Sequence, residues 1–246
     1  MKNRAKQNVI KHIINASKKY NLIQANDTIA VGVSGGKDSL VLLEALTTLK
    51  NYCKFPFNLI AITINMQRDQ EKYQPIKEFT QKLGVPYYIY DTDIFEIVFD
   101  LRQEKNPCSL CAKMRRGALC EKAKELGANK IALGHHADDF VETFLMSFIY
   151  EGRLSTFMPT TYMSKTDITS IRPMIFCSEK EVVSASKDLP IVKNNCPADK
   201  HTKRQYVKEL INKIKEENKI AEVNMLSALT HPERYNLLDK LNIDEE

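Results

Sequence analysis

With 246 residues, 43% of them hydrophobic and 27% charged, the chain can bury a substantial core and has the composition of an ordinary globular protein. No stretch approaches the apolar length that crosses a bilayer, and the basic N-terminus MKNRAKQNVIKHIINASKKY lacks a continuous apolar segment, so the expectation is a cytoplasmic protein with no membrane partner. The net charge of +5 is modest but uneven: basic residues gather in the first twenty positions, in Lys113-Met114-Arg115-Arg116 and around Lys200 to Lys208, which makes these stretches candidates for contact with a phosphate backbone.

An amphipathic helix is predicted over residues 1–20, with Val9, Ile10, Ile13 and Ile14 on one face. Strands are predicted at Thr28–Val33, Asn58–Ile64, Pro86–Tyr90 and Lys130–Gly134, separated by helical stretches long enough for parallel crossovers. Gly84 and Gly127 fall where helices end, as expected of left-handed C-terminal caps. Ser178-Glu179-Lys180-Glu181 reads as a capping box, and residues 197–246 as mainly helical. The fold class is therefore α/β: an open, mainly parallel sheet with helices on both faces, in a single domain over residues 1–246 with helical N- and C-terminal extensions.

Directly after the first strand comes Ser34-Gly35-Gly36-Lys37-Asp38-Ser39, and directly after that a helical pattern. Two glycines let the backbone approach an anion, the helix N-terminus offers unpaired N–H groups, and Lys37 adds a mobile charge. The loop is not a Walker A motif, because Val31 occupies the first glycine position and Asp38 stands in place of the magnesium-binding hydroxyl; the G-x-G-x-x-G pattern is also absent. The fourth strand ends in Gly134-His135-His136-Ala137-Asp138-Asp139. In an open parallel sheet, ligands bind beyond the carboxyl ends of the strands. A carboxylate here could cap the helix, or hold magnesium against phosphates bound at the loop, and the histidines could bond nucleotide or substrate.

Six cysteines stand at 53, 108, 111, 120, 177 and 196. Cys108 and Cys111 form a CxxC compatible with zinc, a redox dithiol or part of an iron–sulfur cluster. Cys53, Cys120 and Cys177 read as incidental or packed thiols. Cys196 stands apart in the polar segment Lys193-Asn194-Asn195-Cys196-Pro197.

SGGKDS resembles the signature of the PP-loop ATP pyrophosphatases. Together with CSLCAKMRRGAL at Cys108–Leu119, GANKIALGHHADD at Gly127–Asp139 and RPMIFCSEKEV at Arg172–Val182, the whole chain resembles the tRNA 2-thiocytidine synthetase family (TtcA type). The resemblance implies an ATP-dependent tRNA sulfurtransferase, in which a pyrimidine carbonyl, a cytidine of the anticodon loop, is adenylated and its oxygen replaced by sulfur. It implies ATP, Mg2+ and a 4Fe-4S cluster as cofactors, and tRNA, a sulfur donor such as a cysteine desulfurase, and a homodimer as partners. Residue by residue, it places ATP at Ser34, Gly35, Gly36, Lys37, Asp38, Ser39, Gly134 and His135. Catalytic roles fall to Lys37, Asp38 and Asp139, magnesium to Asp38 and Asp138, the cluster to Cys108, Cys111 and Cys196, and RNA contact to Arg115, Arg116 and Arg153. Two departures stand out: Asn65-Met66-Gln67 follows the second strand where many relatives carry an acidic residue, and Cys196 is not repeated as a CxxC. A lysidine-type synthetase, a small-molecule sulfurtransferase and a non-enzymatic ATP- or zinc-bearing RNA-binding module are the alternative readings.

Overall fold

The computed structural model describes residues 2–102, 107–192 and 203–236. Among them are eight α-helices: α1 (Lys2–Tyr20), α2 (Lys37–Tyr52), α3 (Gln74–Leu83), α4 (Pro107–Glu125), α5 (Ala137–Glu151), α6 (Glu179–Ala185), α7 (Lys203–Glu217) and α8 (Ala221–Thr230). Six strands, β1 (Thr28–Gly32), β2 (Asn58–Asn65), β3 (Tyr87–Asp91), β4 (Lys130–Ala132), β5 (Thr160–Met163) and β6 (Ile168–Ile171), form one sheet in the order β3-β2-β1-β4-β6-β5. All neighbours are parallel except β5 and β6.

The four strands expected from the sequence are present, with ends shifted by one or two residues. Val33 and Leu133 lie just past their strands yet keep ladder-like bonds, Val33 N–H to the Ile62 carbonyl at 2.8 Å and Leu133 N–H to the Ile171 carbonyl at 3.0 Å. The β5–β6 hairpin carries no comparable signal. Its strands are four residues long, β5 is largely exposed and lacks an apolar run, and the turn between them uses Asp167 at a φ of 51° in place of glycine.

The central strands are buried along nearly their whole length, as befits a parallel sheet covered on both faces. Ala30, Ile60, Ile62, Ile64, Ile131 and Ile168 form one core with Leu119, Cys120 and Ala123 of α4. Alternate residues point to the opposite face. There α2 packs on β1 and β2, and α1, α2 and α6 contact one another. Within α1, Val9 and Ile13 are fully buried, while Ile10 and Ile14 are only partly so. Gly84 and Gly127 adopt φ of 67° and 76° at helix ends, and Ser178 and Glu181 complete the capping box of α6.

The described residues divide into two compact units, one of residues 2–102, 107–137 and 158–192, which holds the sheet, and one of residues 138–157 and 203–236. In the second unit, Val141 of α5 packs with Val207 and Ile211 of α7 and with Met225, Leu226 and Leu229 of α8. No helix among the described residues is long and apolar enough to cross a membrane.

At the amino ends of β1 and β4, Lys130 Nζ lies 2.7 Å from Asp27 Oδ2 and donates at 3.0 Å to the Leu22 carbonyl, while the Asn129 amide donates to Asp27 Oδ1 at 2.8 Å. Both charged side chains are less than one-tenth exposed. Removing one partner of a buried pair strands the other charge, so Asp27→Ala should lower unfolding free energy by about 3 kcal/mol or more. Urea denaturation measures this, and a loss under 1 kcal/mol would show that the pair does not fasten the strands.

Candidate active site

The six residues after Val33 turn sharply from β1 into α2. Gly35 adopts a φ of 88°, and a Cβ built there would stand 3.2 Å from the Val192 Cβ, so both conformation and space favour glycine. The Gly35 carbonyl accepts from the Val192 N–H at 3.0 Å, tying the loop to the segment after α6. Ser39, buried at the start of α2, donates from Oγ to the Gly36 carbonyl at 3.0 Å and accepts from the Ser34 N–H at 3.2 Å. The Ser34 hydroxyl lies 3.3 Å from Ser39 Oγ and accepts from the Gly36 N–H at 3.3 Å. These contacts fix a small polar turn at the amino end of a 16-residue helix, where backbone N–H groups and the helix dipole favour an anion.

Lys37 is less open than a solvent-facing loop residue. Its ammonium lies 3.1 Å from Asp38 Oδ1 and 3.1 Å from Glu179 Oε1. Burial works to lower the Lys37 pKa, but the Asp38 and Glu179 carboxylates together outweigh it, and the net shift is upward. Glu179 was legible only as part of the capping box; that it reaches the loop lysine follows from the docking of α6, which the sequence does not disclose.

The end of β4 meets this loop at very short range. A Cβ on Gly134 would come within 2.9 Å of the Asp38 carbonyl carbon, 3.0 Å of its oxygen and 3.0 Å of the Ser39 nitrogen. All three are backbone atoms, which cannot swing aside. His136 follows, 2% exposed, with Nε2 3.8 Å from Asp38 Oδ1. Gly134 and His136 are thereby brought to the loop, and His135 between them is half-buried.

Asp138 and Asp139 open α5 and belong to the second unit. Arg204 Nη1 lies 3.2 Å from Asp139 and 3.7 Å from the buried Glu142, and Lys208 Nζ lies 3.4 Å from Glu142. Burial raises the Glu142 pKa, and the Lys208 and Arg204 charges oppose that rise. Asp138 hydrogen-bonds to Glu222 of α8. Arg204 and Lys208 of the basic stretch around Lys200 to Lys208 are thus paired with carboxylates of their own unit. Near the N-terminus, Lys6 likewise pairs with Glu44 at 2.6 Å and His12 with Glu181 at 3.3 Å.

Cys108 and Cys111 sit on the first turn of α4, three residues apart and so on one face; Cys108 is exposed and Cys111 partly buried. Cys111 Sγ lies 3.5 Å from Met66 Sδ. Cys120 and Cys177 are buried, and burial raises the pKa of each thiol. Cys196 lies outside the described residues, and among those described no group of three metal-binding side chains comes together. The Arg115 charge acts on the buried Tyr73, and the Arg116 charge on Arg172, whose pKa is lowered to about 10, first by burial and then by the Arg116 charge. Arg172 donates to the Met158 carbonyl at 2.6 Å, a buried guanidinium that composition alone could not locate. Arg153 is exposed after Gly152, which has a φ of 63°.

A family model described as a PP-loop domain matches residues 3–241. The tRNA-cytidine(32) 2-sulfurtransferase of Aliivibrio fischeri (strain MJ11) is 37% identical over 214 residues, covering 85% of this chain and 70% of that protein. The chain belongs to the tRNA 2-thiocytidine synthetase family of PP-loop proteins. The enzyme of the same name from Pelobacter propionicus is 36% identical over 226 residues, covering 90% and 84%. Among solved structures, the U34-tRNA thiolase NcsA from Methanococcus maripaludis with its 4Fe-4S cluster superposes with a TM-score of 0.73 at 24% identity, covering 94% of this chain and 81% of that one, a similarity of fold.

Within this synthetase family pattern, the neutral residue after the second strand has a structural counterpart. Asn65 is fully buried as the last residue of β2, and its amide donates to Asp91 Oδ1 at 2.6 Å at the paired end of β3. Gln70 Nε2 donates to the other Asp91 oxygen at 2.6 Å.

The Gly134 contact yields a direct test. Gly134→Ala should displace the backbone of Asp38 and Ser39 and lower stability by about 1 to 3 kcal/mol, the range of overpacking. Thermal melting with and without pyrophosphate should show a lower midpoint and a smaller ligand-induced rise; a variant with both unchanged would show that the two backbones can separate freely.

Proposed function

We propose that this chain is an ATP-dependent tRNA sulfurtransferase that adenylates a pyrimidine carbonyl, that of a cytidine in the anticodon loop, and replaces its oxygen with sulfur. The observation that carries this reading is the Ser34–Ser39 turn at the amino end of α2, closed by Gly134, in a chain 37% identical over 85% of its length to a tRNA-cytidine(32) 2-sulfurtransferase. We further propose that residues 1–246 act as one cytoplasmic catalytic domain, with a homodimer and a cysteine desulfurase as partners.

Backbone N–H groups of Gly35 and Gly36, with the hydroxyls of Ser34 and Ser39, would hold the β- and γ-phosphates of ATP. Lys37 would offset charge as the bond between the α- and β-phosphates breaks. The substrate oxygen attacks the α-phosphorus, pyrophosphate leaves, and AMP remains bonded to that oxygen. A sulfur nucleophile then forms a C–S bond at the activated carbon as the C–O bond breaks, and the oxygen departs within AMP. Asp38 and Asp138 would carry magnesium, Asp139 would assist as a further carboxylate, and Gly134 and His135 would line the nucleotide. Arg115, Arg116 and Arg153 would meet RNA phosphates.

Cys108 and Cys111 fit two ligands of a 4Fe-4S cluster, being soft thiols one turn apart with one open to solvent. Cys196 is the third ligand in this reading. When bound, such a cluster supplies an iron lacking a protein thiolate, on which sulfur can be carried. The chain's own contribution is to present the thiolates on a fixed helical turn beside Met66.

Pyrophosphate release measured with tRNA and ATP should fall by two to three orders of magnitude in Lys37→Ala, the scale of one preorganised electrostatic contact. Serine at Cys108, Cys111 or Cys196 should abolish both iron binding and thiolation, whereas serine at Cys53 or Cys177 should spare both. Stoichiometric zinc without iron after anaerobic reconstitution would reject the sulfurtransferase reading.

RNA contact is testable through salt. The Arg115 charge acts on Tyr73 and the Arg116 charge on Arg172, so the two arginines are tested one at a time. Arg116→Ala alone should flatten the slope of log affinity for tRNA against log salt by about one unit while leaving ATP affinity unchanged. An unaltered slope would remove Arg116 from the RNA interface.

A further inference from the structure

Glu179 has a place in the nucleotide loop that a helix-capping role does not account for. It is the first residue of α6, and the capping interactions of that helix are made by Ser178 and Glu181: the Glu181 N–H donates to Ser178 Oγ at 3.3 Å, and the Glu181 carboxylate accepts from the Ser178 N–H at 3.0 Å. Glu179 points instead to the loop, with Oε1 3.1 Å from Lys37 Nζ. The position of α6 is fixed from behind. His12 of α1 reaches the Glu181 carboxylate at 3.3 Å, and α6 packs on both α1 and α2. The α6 backbone is therefore held, while the Glu179 side chain is about one-third exposed.

An ammonium offers three N–H donors. Two of them face carboxylates, Asp38 on its own helix and Glu179 from α6. Asp38 is fixed by sequence adjacency, but Glu179 comes from 142 residues away and takes up one of the donors that Lys37 could offer to a phosphate. An arriving polyanion and the Glu179 carboxylate are competing partners for one charge.

We propose that Glu179 is the electrostatic placeholder of the loop: it holds Lys37 when no phosphate is bound, yields the lysine to the phosphates of ATP, and takes it back as pyrophosphate leaves. The proposal rests on the nucleotide-binding reading above. It makes Glu179 a positioning residue that acts through Lys37, sets the affinity of the loop for phosphate and favours product release.

Calorimetric titration of the full chain with pyrophosphate, first without divalent metal, tests it. Glu179→Gln keeps the side-chain shape and removes the competing charge, so pyrophosphate should bind about three- to five-fold more tightly, the scale of a partly exposed ion pair. In a Lys37→Met background the same substitution should change nothing. Unchanged or weaker binding to Glu179→Gln overturns the proposal, as does a gain that persists without Lys37, which would mark general repulsion. A loss of affinity confined to titrations containing magnesium also overturns it and makes Glu179 a metal ligand. If the parent chain binds neither pyrophosphate nor ATP, the nucleotide-binding reading itself fails, a result distinct from equal affinities in parent and variant.

Discussion

Gly134 and the first turn of α2 stand so close that one methyl group would not fit between them, and the rest of the site depends on that approach. It sits at the carboxyl ends of β1 and β4, adjacent parallel strands paired from Ile29 with Lys130 to Val31 with Ala132. At the opposite ends of the same strands, Lys130 and Asp27 form a buried ion pair. The strand pair is thus clamped at both ends, by charge below and by backbone contact above. A one-residue slip would turn every side chain of a strand to the other face and would break both clamps together. The loop can be small because its neighbours are fixed before it begins.

The parts of this arrangement written in local chemistry were legible in the sequence. The glycine pair, the lysine and the hydroxyls of the loop announce an anion site because each residue type is demanded by what surrounds it, and the left-handed caps at Gly84 and Gly127 follow from backbone conformation alone. The β5–β6 hairpin was not legible, since its short exposed strand has no core-facing pattern and its antiparallel pairing is set by β6 docking on β4. Glu179 and Arg172 were visible as residues but not as neighbours of Lys37 and Arg116. Their roles come from tertiary placement, and a capping box or an Arg-Pro pair carries no information about what lies across space from it. The third cysteine, Cys196, falls outside the described residues, so its part rests on the family pattern.

Charge in this protein is distributed so that many cations are already committed. Lys37 is shared by two carboxylates, Arg204 and Lys208 meet Asp139 and Glu142, and Lys6 and His12 meet Glu44 and Glu181. Most of these pairs are partly exposed, where an ion pair contributes little to stability, so their effect is to hold side chains in place at small energetic consequence when a partner is exchanged. Such weak commitment suits a loop that must receive a polyanion and release it. A buried pair such as Asp27 with Lys130 behaves differently, because removing either member leaves a charge without solvent.

The acidic residue that the family pattern places after the second strand illustrates how a site can keep a charge while moving it. Here Asn65 ends β2 and donates to Asp91, its register partner at the end of β3, while Gln70 donates to the second oxygen of the same carboxylate. Two amide donors thereby fix the orientation of the Asp91 carboxylate at the end of β3. Asp91 thus places a carboxylate at the carboxyl edge of the sheet, one strand over from Asn65, about 4.8 Å away. The position vacated beside Asn65 belongs to Met66, whose thioether lies against Cys111. A carboxylate at that point would stand in a largely apolar cluster that includes Cys111, Met114 and Leu110, where burying its charge is costly. With Asp91 held by two amides and Met66 beside Cys111, the carboxylate and the sulfur pair occupy separate surroundings, one polar at the end of β3 and one apolar at the start of α4.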